Sequence, residues 1–423
     1  MYRFVAAFMA ATSCVTIAQA QEGAESSQPR PAPLLTIDEA VVLAGGSAPA
    51  AEAASAEVDA AKAARRVAGL RPNPAIAVEV ENFVGTGPYN GINGADATVS
   101  LAIPLELGGK RPARIAVADA QARRALIAQA IAQADIRQQV SELYIEAVAG
   151  EVRLAIAEDQ FRIATDTARA AAIRVQAGRA SPLEQERAEV ARLKAEAGVD
   201  QTRRLAEAAR VNLARRVGRP TLGPLDMTVL GAPAATVMGP PRPASAAGTL
   251  ALAAADADLD TADAGVRLAA AQRVPDLTVG PGVRRLEATN DVAAVFTISM
   301  PLPLFNNGRA AVDQANAMRR RADAQRRRTA LDVEQQITDA EVEAANAAAA
   351  ARNASGPALS SAMEAARIAR IGYREGKFGQ LELLDAERTL TEMRVASIEA
   401  LVSYQLAKAR LERLTAPAPT EGN

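Results

Sequence analysis

Tryptophan and histidine are absent from this 423-residue chain, and cysteine occurs once, at Cys14; phenylalanine and tyrosine number only seven and five. Each shortage removes a class of function. Without histidine, most hydrolytic schemes lose their base and transition metals lose their commonest ligand. A single cysteine cannot form an internal disulfide. Scarce aromatics deprive a compact core of the side chains that bury most area. Charge of one sign is also lacking: 48 basic against 49 acidic residues leave a net charge of −1, which gives no electrostatic footprint for nucleic acid. The triplets Arg319-Arg320-Arg321 and Arg326-Arg327-Arg328 are interspersed with acids and read as a salt-bridging helix face. No glycine-rich phosphate loop, Ser–His–Asp set or metal-ligand spacing occurs. The chain is therefore expected to be no enzyme, with no cofactor and no resident metal.

Alanine, arginine, glutamate, glutamine and leucine are abundant instead, a composition suited to long, closely packed helices. At the N-terminus, Arg3 precedes an apolar run from Phe4 to Ala18, and Ala18-Gln19-Ala20 has the small-x-small form of a cleavage site. Residues 1–20 thus read as a secretory signal peptide, too short in its apolar part to span a bilayer well. Lipidation of Cys14 is the alternative, although Ala11-Thr12-Ser13 matches a lipobox poorly. Cleavage after Ala20 would leave a mature chain with neither cysteine nor histidine.

The chain repeats itself. Ile103-Pro104-Leu105-Glu106-Leu107-Gly108-Gly109-Lys110-Arg111 is echoed by Met300-Pro301-Leu302-Pro303-Leu304-Phe305-Asn306-Asn307-Gly308-Arg309, and Gly178-Arg179-Ala180-Ser181-Pro182-Leu183-Glu184 by Gly376-Lys377-Phe378-Gly379-Gln380-Leu381-Glu382. The echoes lie about 198 residues apart, near half the chain, as a duplicated unit requires. Residues 21–33 form a polar leader, 34–217 the first unit, 218–248 a Pro/Gly/Ala-rich connector, 249–414 the second unit, and 415–423 a disordered tail.

Within each unit the period changes. Thr36 and Glu39 make a capping box ahead of a helix interrupted near Gly45-Gly46 and Pro49 and stopped at Arg71-Pro72-Asn73-Pro74. Ile76, Val78 and Val80 then alternate with small and acidic residues, as do Val99, Leu101, Ile103 and Leu105 with Thr98, Ser100 and Ala102. The second unit repeats this around Leu277–Arg284 and Ala294–Met300. These are four strands, each with one apolar and one polar face. From Arg114 to Ala177 no proline occurs, so the spacing predicts a helix of roughly sixty residues, on the order of 95 Å. Ser181 caps its return helix, and Gly356-Pro357 predicts a kink in the second unit's long helix. Four strands cannot close a barrel with an open lumen. They form either a small sheet or a share of a barrel built by several chains.

Helix, strand, strand, long helix and return helix, twice over and behind a signal peptide, resemble the TolC-type outer-membrane efflux proteins from about Leu34 to Leu414. Pro104–Arg111, Gly372-Tyr373-Arg374-Glu375-Gly376-Lys377-Phe378 and Leu383-Leu384-Asp385-Ala386-Glu387-Arg388-Thr389-Leu390 are similar to the CzcC-like cation-efflux branch. The resemblance implies a mainly α fold with a small β part. Long antiparallel coiled-coil helices would form an α-barrel tunnel across the periplasm. Four strands from each chain of a homotrimer would make a twelve-stranded barrel in outer-membrane lipid. It implies an exit duct of a tripartite pump, with a periplasmic adaptor and an inner-membrane transporter of the resistance-nodulation-division class as partners. Its substrates would be heavy-metal cations, or small organics if the branch is wrong.

By the same resemblance the hairpin turns are adaptor-contact tips: Gly178, Ala180 and Ser181 in the first unit, Gly376, Phe378 and Gly379 in the second. Glu184, Tyr373, Glu382 and Asp385 would form the periplasmic gate, with the acids favouring cations at the pore. Acids in a first helical turn also complement the helix dipole, which accounts for Glu184 and Glu382 without a gate. Phe378 stands where the drug-efflux pattern has an arginine, so the lock would be built differently. Two rivals remain. A periplasmic adaptor would have one hairpin flanked by β-rich modules, and a secreted coiled-coil scaffold would be soluble.

Overall fold

The structure, a computed structural model, describes residues 34–233 and 244–419; the signal peptide and leader assigned to 1–33 lie outside the described residues. Each unit begins with a short helical segment. In the first, α1 (Ile37–Ser47) carries the expected capping box: Glu39 N donates to Thr36 Oγ1 at 3.3 Å and Thr36 N to Glu39 Oε2 at 3.0 Å. Ala48 is extended, and Pro49 opens α2 (Pro49–Ala68) at a position that needs no N–H. The hairpin β1 (Ala75–Glu81) and β2 (Asp96–Leu105) follows.

The long helix α3 (Lys110–Gln176) has 67 residues, about 100 Å. It starts four residues before the Arg114 boundary read from the sequence. Pro112 falls in the first turn, where its missing N–H breaks no helical bond. The return helix α4 (Pro182–Val217) is capped as expected by Ser181. The second unit has α5 (Leu250–Ala271), β3 (Leu277–Leu286), β4 (Asp291–Ser299), α6 (Arg309–Asn353), α7 (Leu359–Arg374) and α8 (Gln380–Leu414). Between α6 and α7, Ala354–Ala358 forms one π-helical turn around Pro357. The wider turn admits a residue without an N–H while the chain stays helical. The first unit has no such turn.

The four strands form one antiparallel sheet in the order β1-β2-β3-β4. Register sorts the side chains. Ile76, Val78, Leu101, Val99, Val279, Val283, Phe296 and Ile298 lie on one face; Glu79, Thr98, Ser100, Arg284 and Thr297 lie on the other. The apolar face is uncovered in the single chain, with Ile76 75% and Val78 66% exposed. On the polar face Arg284 bridges Glu81 at 2.9 Å and donates to Thr98 Oγ1 at 2.8 Å. Among the described residues both edges, β1 and β4, lack partners. Among the described residues no helix is long and apolar enough to cross a membrane.

A belt of buried residues joins the units. Ile136, Val140, Ile145 and Val148 of α3 pack with Leu213 of α4, Leu401 and Val402 of α8, and the connector's Leu225. At its centre Tyr144 is fully buried. Its hydroxyl donates to Leu35 O at 2.6 Å and accepts from Asp226 N at 2.8 Å, tying the entering chain to the connector. Burial pushes its pKa up to about 12, so it remains a donor at any working pH. Tyr144→Phe removes both bonds but leaves Leu35 O and Asp226 N their 3.2 Å bond to each other, and is expected to lower stability by about 1 kcal/mol, read as a lower Tm in detergent.

The tail departs from the disorder expected of 415–423. Pro417 pairs with Thr249, and Ala418 N donates to Gly248 O at 2.9 Å. The described part of the tail thus closes onto the start of the second unit; 420–423 lie outside the described residues.

Candidate functional site

Both helix hairpins turn at the same end of the chain's long axis. At each turn a glycine adopts a positive φ, Gly178 at 69° and Gly376 at 73°. The following N–H closes a bond five residues back: Arg179 N to Arg174 O and Lys377 N to Gly372 O, both 2.8 Å. This is the helix ending that glycine at that position makes possible. The two turns differ in filling. Phe378 folds back over Gly372, where a Cβ would stand 2.2 Å from its ring. In the first turn the corresponding pair is Arg174 and Ala180, so bulk has changed sides.

That exchange creates a contact between units. Tyr373, 7% exposed at the end of α7, donates its hydroxyl to Glu184 Oε1 of α4 at 2.9 Å. The Arg174 guanidinium stands 4.8 Å over the Tyr373 ring and 3.7 Å from the Glu184 carboxylate. Gln380 Nε2 donates to Glu184 O at 2.9 Å. Burial, then the bond to the Glu184 carboxylate, push the Tyr373 hydroxyl's pKa up. Tyrosine and acid thus form a stable donor–acceptor pair.

The structure brings together two of the four gate candidates, Glu184 and Tyr373. Glu382 and Asp385 stand apart from that contact. Glu382 turns back over its own helix start, where a Cβ on Gly379 would lie 2.8 Å from Oε2. Asp385 is exposed, and its carboxylate makes no hydrogen bond or salt bridge among the described residues. Of the tip candidates, Gly178, Gly376 and Gly379 are exposed, Ala180 is partly buried, Ser181 caps α4, and Phe378 is partly covered by α7.

A second tie escaped the sequence reading. Arg394 of α8 donates to Asp159 Oδ2 of α3 at 2.7 Å, and Asp159 also takes a bond from Arg162. These arginine bonds, Arg394's the larger, hold the Asp159 carboxyl below its ordinary value against the effect of burial. Nearby, Arg370 clamps Glu387 across α7 and α8. A depressed carboxyl stabilises above its unfolded value and loses that contribution as pH falls through the folded one; a raised tyrosine stabilises below its unfolded value of about 10. The ties are therefore expected to hold from about pH 5 to 9 and to weaken below pH 4. Resting conductance of the reconstituted protein should be flat across the first range and rise in the second.

A sheet apolar on one face and open at both edges, joined to helices about 100 Å long, defines a membrane channel whose wall is completed by other copies of the chain. Comparison with known proteins supplies the family. The model of the outer membrane efflux protein family matches residues 41–219 and 244–416. The chain is 29% identical over 392 residues, 90% of each protein, to the cobalt-zinc-cadmium resistance protein CzcC of Cupriavidus metallidurans. It is 30% identical over 278 residues to the nickel and cobalt resistance protein CnrC of the same organism, covering 65% of this chain and 66% of that one. Among solved structures, the outer membrane protein VceC of Vibrio cholerae superposes with a TM-score of 0.73 at 19% identity, over 90% of this chain and 96% of that one. The chain belongs to the outer membrane efflux protein family. Its fold is accordingly that of a trimeric channel, in which four strands per chain build a twelve-stranded barrel in the outer membrane and the helices a periplasmic tunnel. Members work with adaptor and pump partners.

Proposed function

We propose that this protein is the passive outer-membrane duct of a pump that expels heavy-metal cations, driven by an inner-membrane transporter of the resistance-nodulation-division class through a periplasmic adaptor. The observation that carries the substrate class is the similarity to CzcC along 90% of both chains, across sheet, tunnel helices and tips alike. The tip residues Gly178, Ala180, Ser181, Gly376, Phe378 and Gly379 offer turn backbone to the adaptor's helix ends. Glu184 and Tyr373 form the resting latch. Glu382 and Asp385 supply negative charge that three-fold repetition would multiply around the pore. No chemical step is assigned to the chain; it provides a bore and a gate.

Deleting the gene in its host tests this reading. The deletion strain is expected to become more sensitive to cobalt, zinc or cadmium salts and to recover on complementation. Sensitivity to organic compounds alone, with metal tolerance unchanged, would assign the duct to a different cargo.

A further inference from the structure

In the chain, α5 is held by charge on two flanks. Towards α6, Asp263 pairs with Arg319 at 2.6 Å and Asp256 with Arg326. Towards α3, Asp258 pairs with Arg124 at 2.8 Å and Asp260 with Arg123 at 4.0 Å. Its counterpart in the first unit, α2, is flanked by α3 on one side only. On α2, Glu57 borders a groove over α3 that Arg124 and Asp258 also line, exposed and without a hydrogen bond or salt bridge among the described residues, and the one ion pair of Asp59 is a loose 3.9 Å contact with Lys62. The counterpart of α3 is α6. Its Arg320 and Arg321 are exposed, again without a partner among the described residues. They lie beyond the reach of α8, whose last residues meet Val333 and Ile337.

The internal repeat relates these loose ends. Pro74-Ala75-Ile76-Ala77-Val78 and Pro275-Asp276-Leu277-Thr278-Val279 place α5 201 residues after α2. Pro104-Leu105 and Pro301-Leu302, with Arg123-Arg124-Ala125 and Arg320-Arg321-Ala322, place α6 197 residues after α3. One observed contact checks the offsets. The Arg65–Asp119 pair between α2 and α3 transposes to Val266 opposite Asn316. Those positions lie on the antiparallel register that Asp263–Arg319 and Asp256–Arg326 define between α5 and α6. The same transposition carries Asp258–Arg124 to Glu57–Arg321 and Asp260–Arg123 to Asp59–Arg320. All four positions keep their sign of charge.

We propose that in the assembled trimer Glu57 and Asp59 of one subunit pair with Arg321 and Arg320 of its neighbour, so that the α3–α5 seam within the chain is repeated between chains. This rests on the trimeric channel and adds the register at which its upper helices meet. The two seams alternate around the ring, each α2 or α5 wedged between two long helices. Two opposed acid–base pairs at fixed spacing admit one vertical register, because a one-turn slip sets the charges out of reach.

The test uses the full chain in detergent. With Asp59→Cys and Arg320→Cys together, a short bismaleimide is expected to give covalent dimers and trimers on a denaturing gel, and neither single variant should. In parallel, E57R/D59R is expected to speed trimer dissociation roughly tenfold by setting like charges in contact. Adding R320E/R321E should restore the original rate. A trimer that forms no cross-link and whose dissociation ignores both reversals overturns the proposed contact and leaves the channel reading intact. A wild-type chain that is monomeric in detergent overturns the trimer itself.

Discussion

Val99→Arg is expected to abolish accumulation of the protein in the outer membrane. Val99 lies mid-strand in β2, opposite Val78 on one side and Val283 on the other, on the sheet face made of branched aliphatic and aromatic side chains. An arginine at that depth costs about 2–4 kcal/mol where a barrel wall faces hydrocarbon, and three subunits incur it together. A typical protein's whole stability is only about 5–15 kcal/mol. Ala77→Arg makes the comparison internal. Ala77 is also exposed and is one residue from Ile76, but pairs with Ser100 on the opposite face. It should be tolerated, since that face meets water in a closed barrel. Membrane fractionation with immunoblotting reads both. Loss of the Ala77 variant with survival of the Val99 variant would invert the assignment of the faces.

Tyr373→Phe should raise the resting conductance of the purified trimer in planar bilayers. The substitution removes only the hydroxyl that bonds Glu184 and leaves the ring under Arg174. A hydrogen bond to a charged group contributes about 1.5–3 kcal/mol, which corresponds to a shift of roughly ten- to a hundredfold in a two-state equilibrium. Glu184→Gln should give a similar rise, and the double variant should add little to either. That non-additivity separates a latch from two independent effects on folding. Asp385 serves as a contrast: its carboxylate makes no hydrogen bond or salt bridge among the described residues, and its replacement by alanine should alter cation preference. Equal resting conductance in wild type and Tyr373→Phe would remove the latch from the account.

The sequence disclosed elements that carry their own period. The alternation around Ile76 and Val99 fixes strands, and the capping signals at Thr36 and Ser181 fix helix starts. The proline-free stretch from Arg114 understates the first long helix, which begins at Lys110 because Pro112 is harmless in a first turn. The expected kink at Pro357 is an enlarged turn, a distinction that depends on how the helix wraps the residue. Less was legible at the tips. Glu184 and Tyr373 stood out by resemblance, whereas Arg174, Gln380, Asp159 and Arg394 did not. Their contacts span nearly 200 residues or more and join the two units. The repeat also hides them, since Arg174 corresponds to Gly372 and Gln380 to Pro182, pairs with nothing chemical in common. Tyr144 was silent for a similar reason: its partners are backbone groups of Leu35 and the connector, which no side-chain motif reports.

One property underlies all of this: a sheet with a wet face, a greasy face and two open edges is complete only as a third of a cylinder. Mass measurement of the purified chain, by light scattering in detergent and again after detergent removal, addresses that directly. The expected result is a particle of three chains that precipitates when the detergent is withdrawn. A single chain that stays dispersed in plain buffer would contradict it.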